Sequence, residues 1–402
     1  MKEKKVKNIF EDFLKRETLF LDKSVLQANH FPKEIKHRDE QIEQTARILA
    51  PALKLEKPSN LFIYGKTGTG KTMSILHTTK IIKEMAQREK IPATVLYINC
   101  KLKKIADTEY RIIAQLSREL GKTIPSTGLP TDEVYKIFFS SLDNQNQVVI
   151  LVLDEIDQLI KKTGDEILYN FTRMNAELKK AQICLVGISN DLVFMDCLDP
   201  RVRSSLSEEE IIFPPYNALQ IQDILNQRAK RAFKKEAVGE GVIEKCAAYA
   251  AREHGDARRA LELLRVAGEL SERNNQDKIT IKDLDMAEEK IERDRILEAI
   301  STQPKQFQLT LYSIISISSY KKESILTGEI YELYKRLCLK TNLRPLTQRR
   351  ISDILSELDM LGIIAAKVVS KGRYGRTREV HLSVQDSLKQ KAKGILETNL
   401  NL

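Results

Sequence analysis

The sequence predicts an α/β fold: a parallel sheet wound with helices, then a helical domain, then a C-terminal winged-helix domain. Three observations predict it. A Gly-rich octapeptide, G-K-T-G-T-G-K-T at Gly65–Thr72, lies between an apolar run (Leu61, Phe62, Ile63, Tyr64) and a segment of helical character. A nearly all-aliphatic run, Gln147–Leu153, ends in Asp154-Glu155-Ile156-Asp157. Near the C-terminus, three helical stretches precede two strand-like runs joined by a Gly- and Arg-rich turn.

A chain of 402 residues has room for two or three domains. The boundaries expected are an N-terminal arm (1–30), the α/β domain (31–215), a helical domain (216–295), the winged helix (296–390) and a tail (391–402). No apolar run approaches a membrane span and no apolar h-region follows the N-terminus, so neither a membrane partner nor a secretory signal is expected. The five cysteines form no C-x-x-C pair, which suggests reduced thiols in a cytoplasmic protein. Net charge is +10 and unevenly spread. From Arg295 onward there are 18 Lys/Arg against 10 Asp/Glu, leaving only +2 for the first 294 residues. A basic domain attached to a nearly neutral one suggests a polyanionic partner for the C-terminal part.

Residues 1–30 mix charge with Phe10, Phe13, Leu19 and Phe20, as a packing arm does. Pro32–Leu53 has helical spacing. Strand-like Asn60–Tyr64 then feeds the Gly-rich loop. The loop fits G-x-x-x-x-G-K-[ST], in which backbone N–H groups of Gly65, Lys66, Thr67, Gly68, Thr69 and Gly70 turn toward phosphate oxygens. Lys71 would reach the β- and γ-phosphates and the Thr72 hydroxyl would ligate Mg²⁺. The helix from Lys71 to about Arg88 sets its positive dipole end beneath them, with Met73, Ile75, Leu76, Ile81, Ile82 and Met85 expected on its buried side. Thr94–Ile98 is the next strand, and a helix-rich stretch including Ala106–Leu120 follows. Gln147–Leu153 is apolar on both faces, as a central parallel strand requires. At its end Asp154 would hold Mg²⁺ and Glu155 would orient the attacking water of an ATP site. Gln182–Ile188 is a further strand, tipped by Ser189 and Asn190. Asn190 could hydrogen-bond the attacking water or the γ-phosphate. Glu208–Phe213 closes the set before Pro214 and Pro215, and Asn217 to about Arg293 reads as a helical bundle.

From Pro304 the helical stretches are about Lys305–Ser319, Thr327–Lys340 and Leu346–Met360. Strand-like Ile363–Val369, a turn carrying Lys371, Arg373, Tyr374, Arg376 and Arg378, and strand-like Glu379–Val384 complete a winged helix. In that arrangement the third helix enters the major groove of duplex DNA and the hairpin tip follows the backbone or minor groove. Arg349 and Arg350 fall at the start of the third helix, where base edges are within easiest reach.

Together these residues resemble an AAA+ ATPase, and more narrowly the archaeal replication-initiator family. That family is homologous to the largest subunit of the eukaryotic origin recognition complex and to its helicase-loading cofactor. The more specific motifs are Tyr97-Ile98-Asn99-Cys100, the run Leu198-Asp199-Pro200-Arg201-Val202, Gly255-Asp256-Ala257-Arg258-Arg259-Ala260-Leu261 and the basic wing. The resemblance implies roles that spacing does not give: Asn190 as sensor 1, Arg201 as an arginine finger acting on a neighbour's ATP, and Arg258 as sensor 2, on the lid and near the γ-phosphate. It sets His37 and Arg38 on the adenine side, and Tyr216 is counted with the cofactor residues. It also implies an extra DNA-touching insertion at about Lys101–Glu133. The cofactors implied are ATP or ADP with Mg²⁺, and hydrolysis is expected to be slow in a monomer. Origin duplex DNA, the replicative minichromosome maintenance helicase, and paralogous initiators or a second copy of the chain are the implied partners, at the nucleoid. A clamp-loader-type ATPase is a rival, but such subunits end in a helical collar rather than a wing. A P-loop transcription switch with a winged-helix tail is another, but no sensory repeats are visible.

Overall fold

The computed structural model describes the chain except residues 1–6, 8–10, 12–16, 29, 33, 102–107, 126–127, 207, 322–323, 371–375 and 385, and except the side chains of residues 197, 370, 376, 386 and 387. The residues form two compact units, Met1–Leu284 and Asp285–Leu402.

In the first unit, strands β1 (Asn60–Tyr64), β2 (Ala93–Asn99), β3 (Gln147–Asp154), β4 (Ala181–Ser189) and β5 (Glu208–Ile212) form one sheet. Their order is β2-β3-β4-β1-β5 and every pairing is parallel. Strand β3 is buried at every residue because helices cover both faces of the sheet. Alternate side chains therefore enter two cores. Phe62, Leu151, Leu153 and Leu185 face one, while Leu61, Ile63, Val152 and Val186 face the other.

The helix after the Gly-rich loop runs Lys71–Glu89, but its buried face differs from the expected one. Ile75, Ile82 and Ala86 are buried together with Ser74, Thr78 and Thr79, whereas Ile81 and Met85 are exposed. Thr78 and Thr79 each donate to the carbonyl four residues back (3.0 and 2.7 Å), so burial leaves neither hydroxyl orphaned. The helix expected over Pro32–Leu53 is shorter, Asp39–Leu49, and a 3-10 turn at Ala50–Lys54 follows it. His37 adopts φ 59°, which stops helical backbone before Arg38, and Pro51 removes the N–H that further α-helix would need.

Helices Ala218–Ala232, Val242–Arg252 and Ala257–Arg273 make the bundle after the sheet. Asn217 and Gln220 close the first with reciprocal capping bonds. The described part of the arm docks on this bundle rather than on the sheet. Phe20 pairs with Phe233 across an isolated antiparallel bridge, their ring centroids 4.6 Å apart. Gly268 leaves room for them, since a Cβ there would stand 2.6 Å from the Phe20 ring.

In the second unit, helices Lys305–Ser318, Thr327–Lys340 and Gln348–Met360 precede an antiparallel sheet, β6-β8-β7. Its strands are β6 (Ile325–Leu326), β7 (Ile364–Ser370) and β8 (Arg376–Leu382). The expected tail is instead structural. Helix Asp386–Leu400 buries Ala392, Leu396 and Leu400 in the same core as Ile314, Tyr334 and Leu355. No helix among the described residues is long and apolar enough to cross a membrane.

Candidate nucleotide site and nucleic-acid interface

The loop leaves β1 at Gly65 and the following helix starts at Lys71. The loop's glycines are sterically required, as two of them show. Gly68 (φ 72°) lies where a Cβ would come 1.7 Å from Asp256 Oδ1, and Gly70 (φ 90°) where one would come 2.7 Å from the Tyr216 hydroxyl. Lys71 is buried at the loop's centre. Its Nζ donates to the carbonyls of Gly65 and Lys66 (both 2.7 Å) and to Asn190 Oδ1 (2.9 Å). Burial pushes its pKa down to about 8, the nearby Asp154 carboxylate opposing the shift.

Three neighbouring strands bring their ends to this point. Asp154, from β3, accepts from Thr72 Oγ1 (3.0 Å) and from the Tyr97 hydroxyl of β2 (2.8 Å) at Oδ2. Its other oxygen accepts from the Glu155 backbone N–H at 2.9 Å. Glu155 takes φ 55° as it turns the chain from strand to helix, and its carboxylate lies 3.5 Å from Lys101 Nζ. Asn190 follows β4, and its backbone N–H donates to buried Asp157 at 3.4 Å. Tyr97 and Asp157 were not singled out from sequence. Both lie inside quoted motifs, but only strand register sets Tyr97 beside Asp154.

The helical bundle closes the other side. Asp256 caps helix Ala257–Arg273 through the N–H groups of Arg258 (2.8 Å) and Arg259 (3.3 Å) and accepts from Thr67 Oγ1 (3.3 Å). The resulting cleft encloses about 880 Å³ including its open mouth. Thr67–Thr72, Asp154, Glu155, Asn190, Tyr216 and Arg258 line it, with Gln27 and His30 from the arm, Ile35 from the segment after it, and Ile224 and Arg228 from the bundle. Sequence reasoning passed over this second group, whose members carry no local motif.

Several expected site residues are not among those that line the cleft. Arg38 is buried behind the loop, donating to Thr69 O (2.8 Å) and Pro214 O (2.5 Å) with its guanidinium 3.9 Å from the Tyr216 ring centroid. It braces the loop, and it is not among the lining residues. His37 turns to Asp223 (2.9 Å), which Lys36 also grips. Arg201 is 86% exposed, paired with Asp199 at 3.2 Å, outside the cleft lining. Lys66 contributes its carbonyl to Lys71 and is also absent from the lining.

In the second unit, Thr347 caps helix Gln348–Met360, and Arg349 and Arg350 are exposed on its first turn. Arg350 lies 3.5 Å from Asp353, and Arg349 lines a shallow groove with Gln348, Ser352 and Thr377. Arg378 lines the same groove. Its guanidinium donates to Ser352 O (3.0 Å) and Ser356 Oγ (2.7 Å), tying β8 to that helix. Lys371, Arg373 and Tyr374 lie outside the described residues. The Arg376 backbone begins β8, but its side chain is likewise not described.

Residues 55–194 match the model of an AAA domain, residues 222–289 that of the Cdc6 AAA+ ATPase-type lid domain, and residues 298–392 that of the CDC6 C-terminal winged helix domain. The chain is 53% identical over 380 residues to an ORC1-type DNA replication protein of Pyrococcus abyssi, a match that spans 94% of this chain and 90% of that one. It is 50% identical over 386 residues to ORC1-type DNA replication protein 1 of Methanosarcina acetivorans, spanning 96% and 92%. It is also similar to the solved structure of the Aeropyrum pernix ORC1 protein in complex with DNA, with a TM-score of 0.81 and 42% identity over 96% of this chain and 98% of that one. With about half its residues shared along nearly its whole length, and with a sheet, lid and winged helix in the same order, this chain belongs to the ORC1-type DNA replication proteins of the AAA+ ATPase superfamily.

Proposed function

We propose that this chain is an ATP-regulated replication initiator. It binds origin duplex DNA through its winged helix, holds Mg²⁺-ATP in the cleft, and helps recruit or load the replicative helicase. The observation that carries the nucleotide reading is the convergence of Lys71, Asp154 and Asn190 at the ends of adjacent strands. Among the described residues, Lys71 is a desolvated ammonium bonded only to neutral oxygens, so it suits a phosphate oxygen. The oxygen pair of Thr72 and Asp154, 3.0 Å apart and steadied by Tyr97, suits a hard divalent cation such as Mg²⁺. When bound, that cation would neutralise charge developing on the phosphates.

Glu155 is the group we assign to orient and polarise the hydrolytic water, with Asn190 beside the γ-phosphate and Arg258 reaching in from the lid. Arg201 stands on the surface away from the cleft, which favours a finger supplied to a neighbouring copy and hence slow turnover by a monomer. The Aeropyrum relative is in complex with DNA, and Arg349 and Arg350 here project from the first turn of the third winged-helix helix. Phosphate contacts should dominate, so affinity should fall steeply with salt.

The reading is tested by measuring ATP turnover and footprints on origin duplex with the purified chain. Glu155→Gln should leave nucleotide binding intact and lower turnover at least a hundredfold or so. Arg349→Ala should weaken DNA binding about tenfold without changing ATP affinity. Wild-type turnover in the first variant would remove the assigned base, and an unchanged footprint in the second would remove the assigned DNA face.

A further inference from the structure

The carboxylate of Asp154 is more heavily hydrogen-bonded than the phosphate-loop and acidic motifs require. Among the described residues, Oδ2 accepts from the Thr72 hydroxyl (3.0 Å) and the Tyr97 hydroxyl (2.8 Å), and Oδ1 accepts from the Glu155 N–H (2.9 Å). A carboxylate offers about four lone-pair sites, so about one is left. Thr72 and Glu155 belong to the two motifs, whereas Tyr97 comes from the neighbouring strand. There β2 pairs Tyr97 with Val152, two residues before Asp154, or about 7 Å along the strand. A phenol reaches that far, and a serine or threonine hydroxyl does not. The Cys100 N–H donates to the Asp154 carbonyl at 2.8 Å, which locks the two strand ends in register. The Tyr97 ring is partly buried against the core that holds Ile75 and Val152. Burial, then Asp154, raise its pKa, so the phenol keeps the proton it donates.

Divalent cations differ in what they ask of such a group. Ca²⁺ takes many oxygen ligands and readily grips a carboxylate through both oxygens, whereas Mg²⁺ dehydrates reluctantly and keeps several waters. With two hydroxyls on Oδ2 and a backbone N–H on Oδ1, Asp154 is ill suited to a direct two-oxygen grip. Its remaining capacity suits a hydrogen bond from a cation's water. We propose that Tyr97 is a specificity-determining residue for the cation: by occupying Asp154 Oδ2 it favours Mg²⁺ over Ca²⁺. This rests on the nucleotide reading above and deepens it, by naming what selects the cation at the same site.

The test measures ATP binding by calorimetry on the full chain, wild type and Tyr97→Phe, with Mg²⁺, with Ca²⁺ and with EDTA in place of either cation. Phenylalanine keeps the ring and removes only the hydroxyl. Wild type should bind ATP more tightly with Mg²⁺ than with Ca²⁺. In Y97F the ratio of the two affinities should fall by roughly tenfold or more, while affinity in EDTA stays unchanged. Should Y97F fail to fold, Tyr97→Met, which also lacks the hydroxyl, should give the same fall. Equal losses with the two cations would make Tyr97 a support for Asp154 without selectivity and overturn the proposal. An unchanged ratio, or a loss of the same size in EDTA, would overturn it too. Wild-type protein that binds ATP but does not discriminate between the cations would sink cation selection alone, whereas binding no ATP under any condition would sink the nucleotide site itself.

Discussion

Lys71 combines the two demands on a phosphate-site lysine, since it must be buried to be positioned and charged to be useful. Burial takes its pKa to about 8, well below the ordinary 10.5. A bound triphosphate favours the protonated form and so raises that value. Between pH 8 and the ordinary lysine range, binding should therefore take up a proton, and affinity should fall as pH climbs. Below pH 8 the free protein already carries the charge, so little uptake should occur. Calorimetry at pH 7 and pH 9 in buffers of different ionisation enthalpy measures this directly, and uptake that survives Lys71→Ala would assign the proton to another group. The motif names Lys71 on sight, but not the carbonyls of Gly65 and Lys66 that hold it. Arg38 shows the opposite case. The family resemblance sets it on the adenine side, while its bonds to Thr69 O and Pro214 O brace the loop.

Among the elements, the C-terminal helix is where sequence reading fell furthest short. The sequence leads one to expect a winged helix to residue 390 and a tail over 391–402. The spacing of Ala392, Leu396 and Leu400 is helical, yet a short apolar stripe at a chain end acquires meaning only when a core exists to receive it. Leu396→Ala should cost about 2–5 kcal/mol of the second unit's stability, read from its transition in denaturant unfolding of the full chain. Leu402→Ala, 39% exposed, should change it by less than about 0.5 kcal/mol. Equal effects would mean that the helix does not pack as described. The helix after the phosphate loop carries a related lesson. Ile81 and Met85 looked buried by hydropathy, but Ser74, Thr78 and Thr79 share the buried face with Ile75, Ile82 and Ala86.

At the scale of the molecule, one chain holds Glu155 in its cleft and Arg201 on its surface. If the finger serves a neighbour, Glu155→Gln and Arg201→Ala chains should each turn over ATP poorly, and mixing them on origin DNA should restore part of the activity. A mixture no better than its parts would confine each site to its own chain. The sequence by itself determined the five-strand sheet, the phosphate loop, the acidic strand end and the winged helix. Each is written in local terms: apolar runs, glycines at strained turns and a period of 3.6 or 2. Tertiary structure alone decided that the arm clips to the lid, that Tyr97 steadies Asp154, that Arg378 ties the wing to its helix and that Arg228 is buried facing the cleft. Those contacts join residues tens to hundreds of positions apart, and no local pattern encodes a partner that only strand register and helix packing bring within reach.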